Sequence, residues 1–371
     1  MSGLFIGLMS GTSIDGIDAV IAEFEAERLV AVRATHHLDY PPLLGQRLIE
    51  ISLTQPDLSM REFCSLDAAI GQAFATAAAE ILVSSGIPAS AISAIGSHGQ
   101  TLFHDGPEGL SLQLGDPNRI AAATGLVTVA DFRRMDLALE GQGAPLVPAF
   151  HHAMFSDRRE ARCVLNLGGI ANITVLPRSG IGGVIGFDTG PANGLMDEWM
   201  QRCSGQAYDR NGSFAARGRP REALVDALLA DFYFARPAPK STGRDYFRLD
   251  WVRARYAGID AMRPEDVQAS LAAVTARSVA DAISAAAPDA ARLIVCGGGV
   301  ANAELMRLIA EALPGLSVES SRQHGLAPEW IEASAFAWLA MRRIEGESGN
   351  LPAVTGARRS APLGCVVLPP R

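Results

Sequence analysis

Short apolar runs that break into glycine-rich polar turns recur along this chain. Residues 4–9 form a short apolar run that reads as a strand, residues 10–13 (Ser-Gly-Thr-Ser) make a small-residue turn, and residues 14–22 resume as a second strand. The chain therefore opens with a hairpin whose tip carries no bulk. Residues 163–176 repeat that form, with Gly168 and Gly169 at the turn, as a weak internal repeat. Residues 61–83 carry apolar positions at helical spacing and predict a helix ending near Gly86. Residues 94–101 read as a strand running into a polar glycine turn, and residues 115–124 as a turn opening a helix. Residues 126–130 predict a strand delivering Asp131, Phe132 and Arg133. After a glycine turn at 141–145 and a charged break at 156–160, residues 184–187 form a short apolar run that ends in Asp188. A Gly-Pro turn and a helix-like stretch, 194–200, follow it. Further on come a polar loop with basic groups (237–248), an alanine-rich helix (265–287), and a strand (293–296) ending in Gly297, Gly298 and Gly299. Two helices, 301–312 and an amphipathic 330–343, precede a Gly/Pro-rich tail, 346–371, that reads mostly as loop.

Composition narrows the class. With 371 residues the chain is long for one ordinary core and suggests two domains. Hydrophobic content of 48% with 19% charged residues describes a globular protein, and a net charge of −8 excludes a broad polyanion-binding surface. Lys240 is the single lysine and follows Pro239, so no Walker A loop is present. The five cysteines are widely spaced and read as free thiols in a reducing compartment. No apolar run reads as long enough to span a bilayer and no signal-peptide pattern opens the chain, so a cytoplasmic protein is expected.

The chemistry sits at the turns. A tip of Ser10, Gly11, Thr12 and Ser13 presents backbone N–H groups and hydroxyls to a phosphate, although an ordinary glycine turn looks the same. The turn at Gly168–Gly169 and the triple glycine at 297–299 supply two more such places, and the three together make a nucleotide-binding pattern. Asp15 or Asp18, beside the first turn, could hold Mg²⁺ through water. Asp188, where a strand opens, is placed to act as a general base, or else to form a turn or cap a helix. Strand ends also carry His98, Gln100, Asp131 and Arg133. Metal binding at His98 is disfavoured because no ligand set completes it.

The arrangement resembles the sugar kinase/Hsc70/actin superfamily, and particular strings resemble the anhydro-N-acetylmuramic acid kinases. These strings are GLMSGTSIDGID at 7–18, SHGQT at 97–101, LQLGDP at 112–117, ADFR at 130–133, GQGAPLVP at 141–148, NLGGIAN at 166–172, GFDTGP at 186–191, KSTGR at 240–244 and GNLP at 349–352. Ala192 and Glu140 stand where the pattern has glycine, and Ser348 where it has proline.

The resemblance implies a two-domain α/β fold of the actin-like ATPase (ribonuclease H-like) kind with an interdomain cleft. The expected domains are 1–155, with the sugar contacts, and 156–371, with Asp188 and the adenosine motif, its last helix free to pack back on the first domain. It implies nucleotide contacts at Ser10 to Ser13, Asp15, Gly16 and Asp18, at Gly168, Gly169 and Asn172, and at Gly297 to Gly299. The sugar contacts it suggests are His98, Gln100, Asp131, Arg133 and Glu332, with Arg133 facing a lactyl carboxylate. The implied reaction uses ATP and Mg²⁺ to open 1,6-anhydro-N-acetylmuramic acid with water and phosphorylate the freed 6-oxygen, with Asp188 activating the water. Two other readings are an ATP-gated sensor, against which a base such as Asp188 argues, and a plain hydroxyl-directed sugar kinase. The expected partner is the small sugar, with neither nucleic acid nor membrane, in a homodimer.

Overall fold

The two glycine-tipped hairpins begin two sheets of the same topology. In the computed structural model, which describes residues 2–11, 13–238, 240–243 and 245–370, Ser2–Met9 pairs antiparallel with Ile17–Glu25, which pairs antiparallel with Arg28–Leu38. Ile92–Ser97 lies parallel on the other side of Ser2–Met9, Thr128–Ala130 is parallel to it in turn, and Cys365–Val367 closes the edge antiparallel. In the second sheet Ala161–Leu167, Ile170–Leu176 and Ile185–Pro191 are the antiparallel three. Ala290–Cys296 and Ser317–Ser320 continue parallel beside Ala161–Leu167. Counted in chain order, both sheets run 3-2-1-4-5, and the first carries a sixth strand. A duplicated sheet of this order is the ribonuclease H-like arrangement of the actin-like ATPases, and the hairpin repeat seen in the sequence is its trace.

The chain divides into two compact units, Met1–Met154 with Trp330–Arg371, and Phe155–Glu329. Residues 330–371 thus group with the first unit, not with 155–329. The reason is the helix Ile331–Glu345. It is not amphipathic as its sequence suggested, because residues 333–341 are buried on every side. One side lies on the first sheet so closely that a Cβ at Gly7 would overlap the Ala333 carbonyl, and one at Gly96 the Phe336 carbonyl. Gly7 and Gly96 are register partners on adjacent parallel strands, so together they make a flat seat for helix backbone.

The tail is ordered as well. It contains the short helix Pro352–Thr355 and the strand Cys365–Val367. Asp136, fully buried, ties it down: its carboxylate accepts from Asn350 Nδ2 (2.6 Å), Thr355 Oγ1 (2.8 Å) and the Gly143 N–H (2.8 Å). Glu140, one of the departures from the glycine pattern, has φ +66°, a left-handed conformation that glycine adopts without strain.

The helix Met60–Ser85 starts at Ser59, which accepts from the Glu62 N–H (3.2 Å), and stops at Gly86 with φ +67°. Contrary to the sequence reading, this helix is long and apolar enough to cross a membrane by length and composition. Its apolar stripe, Leu66, Ile70, Phe74, Ala77, Ala78 and Ile81, instead packs in the first unit's core.

Gly7→Val should destabilise the protein by about 3 kcal/mol or prevent folding, since the helix cannot move off the sheet without emptying the core. Denaturant unfolding measures this, and a loss under 0.5 kcal/mol would show the helix is not seated there. Glu140→Gly should raise stability by about 0.5–1 kcal/mol through relief of the left-handed strain. The Glu140 ion pair with Arg358 is exposed (3.3 Å) and offsets little of this. Differential scanning calorimetry reads the change, and a lowered Tm would contradict it.

Candidate active site

In the first unit the site grows from the hairpin turn after Met9. Ser10 is buried, its Oγ 2.7 Å from both the Gly16 carbonyl and Gln100 Oε1. Gln100 is wholly buried: Nε2 donates to the Gly11 carbonyl (3.2 Å) and the Thr101 carbonyl (3.3 Å), and Tyr40 OH donates to Oε1 (3.2 Å). Gln100 therefore braces the turn and is not presented to a sugar, which revises its expected role. Gly16 is glycine because a Cβ would lie 2.6 Å from the His37 ring. Gly11 is different, since a Cβ there would make only ordinary contact with Ser13, at 3.6 Å from Oγ and 4.0 Å from N. Thr12 lies outside the described residues.

Acidic groups gather beside this turn. Ser13 Oγ donates to Asp15 Oδ1 (2.8 Å), and Asp18 Oδ1 lies 2.7 Å from His37 Nδ1. Burial pulls the His37 pKa down, but Asp18 and Asp39 outweigh it, so the net shift is upward. Glu332, half-buried at the start of the helix Ile331–Glu345, has its carboxyl pushed up by burial. Arg133 opposes that rise, while Asp18 and Asp15 add to it. Among the described residues no three His, Cys, Asp or Glu side chains form a ligand cluster. Two carboxylates in a negative setting nevertheless fit Mg²⁺, which takes one or two protein oxygens and keeps its waters.

Arg133 is the fixed cation of this unit. Nη1 donates to the Gly143 carbonyl (2.8 Å), and Nη2 lies 2.9 Å from His98 Nε2. A guanidinium only donates, so His98 Nε2 is the acceptor and the proton sits on Nδ1. Burial and Arg133 hold His98 neutral, its pKa pulled down to about 3, and the Phe336 ring packs 4.6 Å from it. Burial also brings the Arg133 pKa down to about 10, still a cation at neutral pH. Arg133 Nε is buried without a hydrogen-bond partner among the described residues. His98 and Asp131 line a cavity of about 340 Å³ with Ser97, Asp116 and Arg134. Burial raises the Asp131 pKa, opposed by Arg134 at 3.5 Å.

In the second unit Asp188 lies on the edge strand Ile185–Pro191, opposite Asn172. Its carboxylate Oδ2 accepts from the Thr242 N–H (3.0 Å), the one hydrogen bond it makes among the described residues. Burial lifts its pKa to about 6, only partly offset by that bond. The turn at Gly168 and Gly169 spends its carbonyls on the helix Asn193–Ser204, accepting from the N–H groups of Ala192, Asn193 and Gly194. The triple glycine packs on the same turn: a Cβ at Gly297 would overlap Asn166 Oδ1, and one at Gly299 would lie 2.5 Å from Leu167 Cβ. Gly298 has open space around it. The second and third glycine turns thus form one backbone-lined place.

Sequence reasoning missed His37, Asp136, Tyr233 and the part of Lys240. The lone lysine was visible, but only as the residue that excludes a Walker A loop.

The family model described as anhydro-N-acetylmuramic acid kinase matches residues 3–369. The chain is 47% identical to the anhydro-N-acetylmuramic acid kinase of Xanthomonas campestris pv. campestris (strain 8004), covering 98% of this chain and 97% of that one. It is 48% identical to the enzyme of that name from Xylella fastidiosa (strain Temecula1), with 98% and 96% covered. With the one from Saccharophagus degradans (strain 2-40) it shares 46% identity, with 99% of each covered.

Titration followed by NMR of aspartate-labelled protein should place the Asp188 carboxyl midpoint near 6, identified by its loss in Asp188→Asn. The His98 ring should stay neutral from pH 8 down to 5. An Asp188 midpoint below 4.5 would mean that burial does not govern its charge.

Proposed function

The chain belongs to the anhydro-N-acetylmuramic acid kinase family, and from that premise we propose that Asp188 is the base of its reaction. The protein is a phosphotransferase. It uses ATP to open 1,6-anhydro-N-acetylmuramic acid hydrolytically and phosphorylate the 6-oxygen, giving N-acetylmuramic acid 6-phosphate and ADP in peptidoglycan recycling. Asp188 takes a proton from water as the water oxygen bonds to the anomeric carbon. The bond from that carbon to O6 breaks, and O6 attacks the γ-phosphorus as the bond to ADP breaks. The observation that carries this reading is the Asp188 carboxylate itself: half-buried, held by one N–H, with desolvation lifting its pKa to about 6. A base poised near the working pH is what proton transfer in the transition state needs.

The remaining roles follow the chemistry of each group. Arg133, with a buried Nε–H lacking a partner, suits the lactyl carboxylate. His98, neutral and fixed, keeps the guanidinium in place and lines the sugar side with Asp131. Gly11 and Gly298 give the nucleotide backbone without bulk. Asp15 and Asp18 would hold Mg²⁺, which when bound neutralises phosphate charge. Glu332 faces this acidic group and Arg133. A cytoplasmic location fits the dependence on ATP.

Asp188→Asn should lower turnover about 10²–10⁴-fold and leave ATP binding intact. Ring opening and phosphoryl transfer should fail together. In ¹⁸O-labelled water the wild-type product should carry label at the anomeric carbon and none in the phosphate ester bridge. An Asn variant within tenfold of wild type would remove Asp188 as the base. Equal rates on the ring-opened sugar would make this a plain sugar kinase.

A further inference from the structure

Asp188 sits on an edge strand, so its main-chain groups on the open side have no sheet partner. Both are taken by one short segment. The Asp188 N–H donates to the Lys240 carbonyl (3.0 Å), and the Asp188 carbonyl accepts from Tyr233 OH (2.8 Å). That segment is closed on itself by the only lysine in the chain. Lys240 Nζ donates to the carbonyls of Tyr233 (3.2 Å) and Phe234 (3.0 Å), in the short helix Phe232–Ala235, and lies 4.8 Å from the Tyr233 ring centre. Tyr233 is anchored in turn. Its N–H donates to buried Asp231 (2.7 Å), which also accepts from Trp251 Nε1 (2.9 Å), Tyr246 OH (3.0 Å) and the Arg255 guanidinium. Asp188, Lys240 and Tyr233 thus form a closed ring of contacts fixed to the aromatic core.

We propose that Lys240 and Tyr233 are positioning residues for the reaction, locking the Asp188 main chain and holding the Thr242 N–H against its carboxylate. This rests on Asp188 being the base. Neither residue needs to touch substrate. Lys240 acts by fixing residues 240–242, since without its ammonium the carbonyl that receives Asp188 and the N–H that binds the carboxylate are tied to the helix end by chain alone. The groups facing Asp188 in this unit are Tyr233 from the short helix, the main chain of 240–242, and Asn172 across the strand pair. Arg236 is the charged neighbour of Lys240. The Thr242 N–H is what draws the Asp188 pKa down against burial, so loosening it leaves burial unopposed.

Steady-state kinetics over pH on Lys240→Met, Lys240→Arg and Tyr233→Phe tests this. Lys240→Met should lower kcat about 10–100-fold, as expected when a catalytic group is displaced by about 1 Å, with KM for ATP changed less than twofold. The acid limb of kcat should move upward from its wild-type position near 6. Lys240→Arg, which keeps cationic N–H donors, should recover most of the loss. Tyr233→Phe, which removes one hydroxyl and should fold normally, should lower kcat about 5–10-fold and carries the test if Lys240→Met does not fold. Two results would overturn the proposal. One is Lys240→Met and Tyr233→Phe within twofold of wild type with an unmoved acid limb. The other is a loss that leaves the acid limb in place and that Arg does not rescue. An inactive Asp188→Asn beside wild-type-like Lys240 and Tyr233 variants would sink this inference alone, whereas an active Asp188→Asn would sink the base assignment beneath it.

Discussion

The first unit depends on one close approach, the backbone of the helix Ile331–Glu345 lying directly on strand backbone at Gly7 and Gly96. Two glycines side by side on parallel strands remove the side-chain layer that normally separates helix from sheet. The contact fixes what the helix carries. Glu332 at its start is brought into the field of Arg133, Asp15 and Asp18, and Phe336 is set against the His98 ring. It also delivers the tail, whose Asn350 and Thr355 reach Asp136. Asp136 holds the Gly143 N–H, and the Gly143 carbonyl holds Arg133. The guanidinium is thus placed by residues more than two hundred positions further along the chain.

The second unit shows how hydrogen-bond supply decides the charge of a buried acid. Asp188 and Asp231 both meet a desolvation penalty that favours the neutral form. Asp231 receives the Tyr233 N–H, Trp251 Nε1, Tyr246 OH and the Arg255 guanidinium, and its pKa falls despite burial. Asp188 receives a single backbone N–H, and its pKa rises. The well-supplied acid is a fixed anion that organises the aromatic cluster, while the poorly supplied one can take and release a proton near neutral pH. Placing the two on either side of Tyr233 couples a rigid anchor to a carboxyl that titrates near neutral pH.

Much of the architecture was legible because apolar runs broken by glycine have few foldings. The two hairpins, the helices Met60–Ser85 and Pro264–Ala286, and the strand into the triple glycine all lie close to their sequence-read limits. The strand Arg28–Leu38 and the helix Pro42–Thr54 escaped notice. The first is an edge strand with no fully buried residue, and the second is mostly exposed, so neither has a strong apolar period. The site was legible by residue type but not by burial. Gln100 looked like a sugar contact because it is polar in a turn, and only packing shows that all its bonds go inward. Lys240 was passed over because its role lies in carbonyls that no side-chain pattern records.

Glycine illustrates the same limit and also resolves it. The sequence presents every glycine of the three turns as an equal candidate for phosphate or base. The structure divides them by what a Cβ would strike. At Gly16, Gly297 and Gly299 it would strike the protein itself, so these glycines let one piece of chain lie on another. At Gly298 it would meet nothing, and at Gly11 it would make only ordinary contact with Ser13. Gly298 is exposed and Gly11 half-buried, so the protein's own packing does not require glycine at either place. Within each unit the packed glycines rigidify their turn, and the open one leaves backbone bare, which is the feature the proposed nucleotide contacts would use.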